Sequence, residues 1–193
     1  MPLGYSAARA VTLPHKLLAV HSGLALYGRN NICYGDEFGS YMQIMSYVSD
    51  LPCVEAQWFP LRRMENCEDC RACVIACPTG AIDTDRQLIN SDRCITLANE
   101  LTDDFPEWID KDAHNSIIGC SKCQDCCPSN AHNKNNVKMG ATFTEKETAE
   151  LLNHMGSEPY SESLAAKIEE TGLLQEYTNP NVLPRNLAVL LLN

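Results

Sequence analysis

Cys67, Cys70, Cys73 and Cys77, followed at once by Pro78, set the C-x2-C-x2-C-x3-C-P spacing. With that spacing a tight loop wraps three thiolates around one iron–sulfur cube and sends the fourth to another. Zinc also takes C-x2-C pairs, but a tetrahedral ion does not call for a three-cysteine ladder with a fourth Cys-Pro. A second copy lies fifty residues on. Cys120, Cys123, Cys127 and Pro128 align without a gap with Cys70, Cys73, Cys77 and Pro78, and Ala131 with Ala81. In that register Cys126 matches Ala76, which marks it as a spare thiol, packed or weakly reactive. Ile117 stands where the first copy has Cys67 and cannot bind iron. Cys94, in the polar stretch Asn90-Ser-Asp-Arg-Cys94 between the copies, is the natural replacement.

Two-cluster ferredoxins exchange their Cys-Pro ligands. Applied here, cluster one takes Cys67, Cys70, Cys73 and Cys127, and cluster two takes Cys77, Cys94, Cys120 and Cys123, so two [4Fe-4S] clusters are the expected cofactors. The exchange staples each motif to the other and sets the two cubes close together, a wire for single electrons. Backbone amides and the apolar Val74, Ile75, Ile82, Ile117 and Ile118 are expected to set the potentials through hydrogen bonding and water exclusion. Cys33, Cys53 and Cys126 remain. Cys33 and Cys53 have no basic neighbour in sequence that would lower a thiol pKa, so packing is expected of them.

Eleven cysteines in 193 residues far exceed what packing needs, yet fall short of a disulfide scaffold. Lys+Arg 15 against Asp+Glu 25 gives a net charge of −10, which repels phosphate backbones and anionic lipid and disfavours non-specific nucleic-acid binding. No run approaches the ~20 apolar residues that span a bilayer, and residues 1–10 carry no cleavable signal pattern. The expected location is therefore the cytoplasm, whose reducing conditions leave close-spaced thiols free for metal. The five histidines, His15, His21, His114, His132 and His154, show no metal-ligand spacing and are expected on the surface or at caps. The pairs Asp103-Asp104 and Glu169-Glu170 are expected to be solvated. The glycines of residues 23–28 lack the Lys-Ser/Thr that would complete a phosphate loop, so they read as a plain turn.

Around the cysteines the chain divides into three parts. Residues 1–60 read as a helix and a β-hairpin. Thr12 is a cap, Pro14 lies in the first turn, Leu13, Leu17, Leu18 and Val20 form a stripe, and Gly23 is the stop. Residues 31–34 and 40–49 are the hairpin arms, joined through 35–39, with Met42, Ile44 and Val48 alternating against Tyr41, Gln43 and Tyr47. Residues 61–135 hold nine of the eleven cysteines and form the metal-organised region. Residues 136–193 are a helical tail. Thr144 and Glu147 form a capping box for a helix closed by Gly156. A second helix presents Leu164, Ala165 and Ile168 and ends at Gly172, and Pro184 opens a third. These last helices have the character of the start of a helical repeat. The expected fold class is α+β: a ferredoxin-like two-[4Fe-4S] domain between an N-terminal helix/hairpin segment and a C-terminal α-helical tail.

The cysteine motifs, with Arg93-Cys94-Ile95, resemble the double-cluster domain of the epoxyqueuosine reductases. Three upstream stretches are similar too: His21-Ser-Gly-Leu-Ala-Leu-Tyr-Gly-Arg-Asn-Asn31, Phe38-Gly-Ser-Tyr41 and Ser49-Asp-Leu-Pro52. They also resemble, more distantly, the corrinoid reductive dehalogenases. Pro184-Arg-Asn-Leu-Ala-Val-Leu190 is similar to the start of the family's helical repeat. The resemblance implies that the two clusters feed a cobalamin, and it sets Tyr27, Gly28, Arg29 and Asn30 near that corrinoid. It begins near residue 13, so the family's N-terminal, cobalamin-binding half finds no counterpart. The expectation is a fragment, a short paralogue serving a redox partner protein or separate corrinoid-binding domain, or a reductase assembled in trans. Three functions follow in order of preference. The first is electron transfer through two clusters, the second a corrinoid reductase acting on epoxyqueuosine, and the third a structural iron–sulfur interaction module.

Overall fold

A computed structural model describes residues 4–53, 56–101, 104–154, 158–174, 179 and 181–192. Among them the chain forms seven short helices and two two-stranded sheets, an α+β arrangement in which loops predominate.

Strand β1 (Ala7–Arg9) pairs antiparallel with β4 (Tyr47–Ser49), Ala8 opposite Val48. Helix α1 (His15–His21) follows, with Pro14 rather than Thr12 as its N-cap, and Gly23 turns the chain at φ +80°. Its buried face is Ala19 and Val20, while Leu13 is exposed. The turn at 35–39 closes as expected, with reciprocal bonds between Gly35 and Gly39 of 2.9 and 3.0 Å. Its arms then part, and this corrects the expected hairpin. β3 (Cys33–Tyr34) pairs back onto β2 (Leu26–Tyr27), whereas 47–49 pairs with the N-terminal strand. The alternation in 41–46 survives without a ladder, because Met42 and Ile44 pack on the core of Ala19, Val20, Ala25 and Cys33. Val48 does not follow it and is exposed.

Residues 62–64 lie alongside β2 through a parallel bridge of Tyr27 with Arg63. The bonds Tyr27 N–H to Arg62 O, 3.1 Å, and Met64 N–H to Tyr27 O, 2.9 Å, deliver the chain directly into the 3-10 turn Glu65–Cys67. The two cysteine motifs then form matching short helices, α2 (Ala72–Ala76) and α4 (Lys122–Asp125), which pack on each other. Between them α3 (Ile95–Leu101) carries Ile95 and Ala98 into a small core with Ile109 and Ala113.

The tail agrees closely with its sequence signals. α5 (Glu145–Leu152) starts on a complete Thr144–Glu147 capping box. α6 (Glu162–Thr171) stops at Gly172 in the left-handed conformation, φ +63°. α7 (Val182–Leu192) opens two residues before Pro184. Gly156, the expected stop of the first tail helix, lies outside the described residues, as does Asp103. Leu151, Leu164, Ile168 and Leu183 form the tail's core; Ala165 faces solvent instead of joining them.

Candidate metal centre

Two cavities open among the loops. The first, of about 20 Å³, is bordered by Cys67, Cys70, Cys73 and Cys127 together with Gly28, Arg29, Asn30 and Tyr34. The second, larger and partly open to solvent, is bordered by Cys77, Cys94, Cys120 and Cys123, with Asn30, Ile95 and Ile118 among its walls. The eight cysteines are thus brought together in two crossed sets of four, each drawing on both motifs. Among the described residues no three His, Cys, Asp or Glu side chains stand close enough to hold a single ion. Cys126 is not in the wall of either cavity; its thiol donates toward the Cys123 carbonyl at 3.6 Å, close enough to Cys73 to act on that thiol.

The chemistry of the donors fits an iron–sulfur cube. Burial, reinforced by Cys126, Cys67, Cys70 and Cys127, pushes the Cys73 thiol up to about 11. Burial likewise pushes Cys123 up to about 12, with Cys120, Cys94 and Cys73 adding to it. Thiols crowded in this way ionise only against a compensating cation, which iron supplies. Two sulfurs already accept hydrogen bonds, Cys77 Sγ from the Ala81 N–H at 3.2 Å and Cys120 Sγ from Asn115 Nδ2 at 3.4 Å. Such bonds steady a thiolate and raise a cluster's potential.

The N-terminal segment holds these loops in place. Arg29, 6% exposed, donates through its guanidinium to the carbonyls of Cys67, Glu68 (3.2 Å) and Thr84 (3.2 Å). Asn30 donates to the Cys123 carbonyl at 3.2 Å and to the Tyr34 hydroxyl at 2.9 Å. Burial and contact with Cys127 raise the Tyr34 phenol above its ordinary value. Further along, Asn130 is fully buried. Its Oδ1 accepts from the Ser40 N–H at 2.8 Å and its Nδ2 donates to the Gln124 carbonyl at 2.8 Å. On the other flank, Asn99 Nδ2 donates to the Gly119 carbonyl at 2.8 Å and Asn186 Nδ2 to the Ile117 carbonyl at 2.6 Å, so α3 and α7 fix the approach to Cys120.

These clamps were not read from the sequence as cluster supports. One signal was available: Asn130 occupies the repeat position of Gly80, a departure that a bare motif repeat does not require. Tyr27, Gly28 and Arg29 border a wide groove alongside the first cavity, walled also by Arg62, Arg63 and Arg71, while Asn30 borders both cysteine cavities. Other expectations are revised. Ile75 is 82% exposed and shields nothing, whereas Ile82 is buried. Cys33 packs in the core as expected, but Cys53 is exposed in its Pro-containing loop. His114 is buried against Phe105 while capping its 3-10 turn; burial, and then the nearby Arg185, lower its pKa.

Residues 66–130 match the family described as "4Fe-4S double cluster binding domain", so that segment is of the double-cluster iron–sulfur class. The chain is epoxyqueuosine reductase-like. It is 36% identical over 117 residues to the epoxyqueuosine reductase of Leadbetterella byssophila, covering 60% of this chain and 37% of that one. With the enzyme of Salmonella typhimurium it shares 30% identity over 177 residues, 91% of this chain and 44% of the relative. In fold it matches epoxyqueuosine reductase from Bacillus subtilis with a TM-score of 0.71 at 20% identity, over 98% of this chain and 49% of the other. The structural likeness therefore extends upstream of residue 13, where the sequence resemblance begins. A crystal structure of epoxyqueuosine reductase with an epoxyqueuosine-modified tRNA stem loop matches at 0.68 and 22% identity, over 97% of this chain and 48% of that chain. The chain spans less than half the length of these relatives. No helix among the described residues is long and apolar enough to cross a membrane.

Proposed function

We propose that this chain relays single electrons through two [4Fe-4S] clusters, one held by Cys67, Cys70, Cys73 and Cys127 and the other by Cys77, Cys94, Cys120 and Cys123. The observation that carries the reading is the crossed arrangement: each cavity is bordered by four cysteines drawn from both motifs. The clusters supply one-electron chemistry. The residues of the chain hold the thiolates, donate to their sulfurs and exclude water from them. Arg29 and Asn30 fix one loop of each site, and Asn30, in the walls of both cavities, keeps the two sites adjacent.

The acceptor in this reading is a corrinoid or a partner reductase at the groove beside the first cavity, where Tyr27, Gly28 and Arg29 lie. The nearness of that groove to Cys67 and Cys70 supports it, since electron transfer from cluster one requires a short path. A second reading, a cobalamin-dependent reductase of the epoxyqueuosine type, is favoured by the alignment of 91% of the chain with the Salmonella enzyme. The net charge of −10 weighs against a direct tRNA contact.

Anaerobic reconstitution tests the proposal. Iron quantitation should find about eight irons per chain, two cubes of four, and EPR of the dithionite-reduced protein should show two interacting centres. A folded, iron-free and redox-silent protein would sink it. Titration with hydroxocobalamin separates the two readings: a shifted corrinoid spectrum with a stable complex supports direct binding, and an unchanged spectrum leaves a protein acceptor.

A further inference from the structure

Arg29 is the one strongly buried cation in the wall of the first cavity. Its three hydrogen bonds all run to neutral backbone carbonyls, of Cys67, Glu68 and Thr84. Its Nε is buried without a partner, and no carboxylate pairs with it among the described residues. A guanidinium withdrawn from water in this way requires a negative charge nearby. The wall it shares with Cys67, Cys70, Cys73 and Cys127 is where one would sit.

We propose that Arg29 is the fixed counter-charge of cluster one and sets its reduction potential; this rests on the ligand reading above. A cube with four thiolates carries about −2 oxidised and about −3 once it accepts one electron. A fixed positive charge therefore favours the reduced form more than the oxidised one. No comparable cation borders the second cavity, where Glu100 stands in the wall. The chain thus biases an electron toward cluster one, the site beside the groove. Arg29 acts on the cluster by its field and also positions the Cys67 loop, so a test must separate charge from hydrogen bonding.

The test is an EPR-monitored redox titration of the reconstituted protein, comparing wild type with Arg29→Lys, which keeps the charge, and Arg29→Gln, which removes it. Cluster two serves as the internal reference. Arg29→Gln should lower the cluster-one reduction equilibrium at least tenfold, about 59 mV for one electron, while Arg29→Lys stays within twofold of wild type and cluster two does not move. If Arg29→Gln fails to hold cluster one but Arg29→Lys holds it at the wild-type potential, the charge requirement is supported again. Equal shifts in both variants, an unchanged Arg29→Gln, or loss of cluster one in both would overturn the proposal and leave Arg29 a structural clamp. Wild-type protein that binds no second cube refutes the ligand reading instead, and iron content reports that separately.

Discussion

Cys126 and Cys127 adjoin in the chain, and both act on the Cys73 thiol. Cys127 borders the first cavity, while Cys126 turns its thiol to a carbonyl. Cys94→Ala should therefore drop iron from about eight to about four per chain, and Cys126→Ala should leave iron content and EPR unchanged; the reverse pattern would exchange their roles. Around cluster two the donors to sulfur make a finer prediction. Asn115 donates to Cys120 Sγ at 3.4 Å, and hydrogen bonds to charged groups are worth about 1.5–3 kcal/mol, only part of which differs between redox states. Asn115→Leu should lower the cluster-two midpoint by up to about 59 mV, a tenfold change, without moving cluster one. Redox titration by EPR reads both. The eight cysteines were legible in the sequence because spacing and internal repetition encode them locally. Arg29 and Asn30 were not legible as clamps, because their partners are carbonyls 38 and 93 positions away, and no local pattern records such contacts.

At the level of elements, legibility follows the same division. The tail helices carry their caps and stops within a few residues, so Thr144, Glu147 and Gly172 announce them. The strands at 33–34 and 47–49 gave correct extended segments and the wrong partners, since pairing is decided by what covers each edge. Asn130 illustrates the cost of such distant contacts. It joins α4 to the Gly39–Ser40 turn, where Gly39 has φ +57° and an added Cβ would stand 2.3 Å from Asn130 Oδ1. Gly39→Ala should destabilise the protein by about 1–3 kcal/mol through backbone strain alone, and more through that clash; equilibrium denaturation measures it. Glu147 ties α5 to α6. Lys167 at 2.6 Å, the Thr144 backbone and Ser163 hold its carboxyl down to about 2 from an ordinary 4.5. A carboxyl pKa lowered by folding stabilises fully above the unfolded value and loses that contribution as pH falls. Glu147→Gln should therefore lower Tm at pH 7, and the gap from wild type should close between about pH 4.5 and pH 2. A gap independent of pH would show that the carboxylate charge is not involved.

At the scale of the molecule, the described residues form separate hydrophobic clusters rather than one continuous core. Its N-terminal and middle clusters are small, Ala19, Val20, Ala25 and Cys33 in the first and Ile95, Ala98, Ile109 and Ala113 in the second. Only the tail buries several large side chains together, Leu151, Leu164, Ile168 and Leu183, each worth about 1.5–3 kcal/mol. Its helices of 8, 10 and 11 residues are too short to stand alone, so that packing is what sustains them. The middle region must obtain its stability elsewhere, and in the proposed reading the binding of iron by crossed ligands is folding free energy for residues 66–130. Removing iron with a chelator under reducing, anaerobic conditions should abolish amide protection across residues 66–130, while α5, α6 and α7 keep theirs. The bonds from Asn186 to the Asn99 and Ile117 carbonyls, 2.9 and 2.6 Å, mark where the boundary should fall. Hydrogen exchange by mass spectrometry locates it. Protection lost uniformly along the chain would mean that the tail depends on the clusters; protection retained throughout would mean that the clusters are passengers on a fold that does not need them.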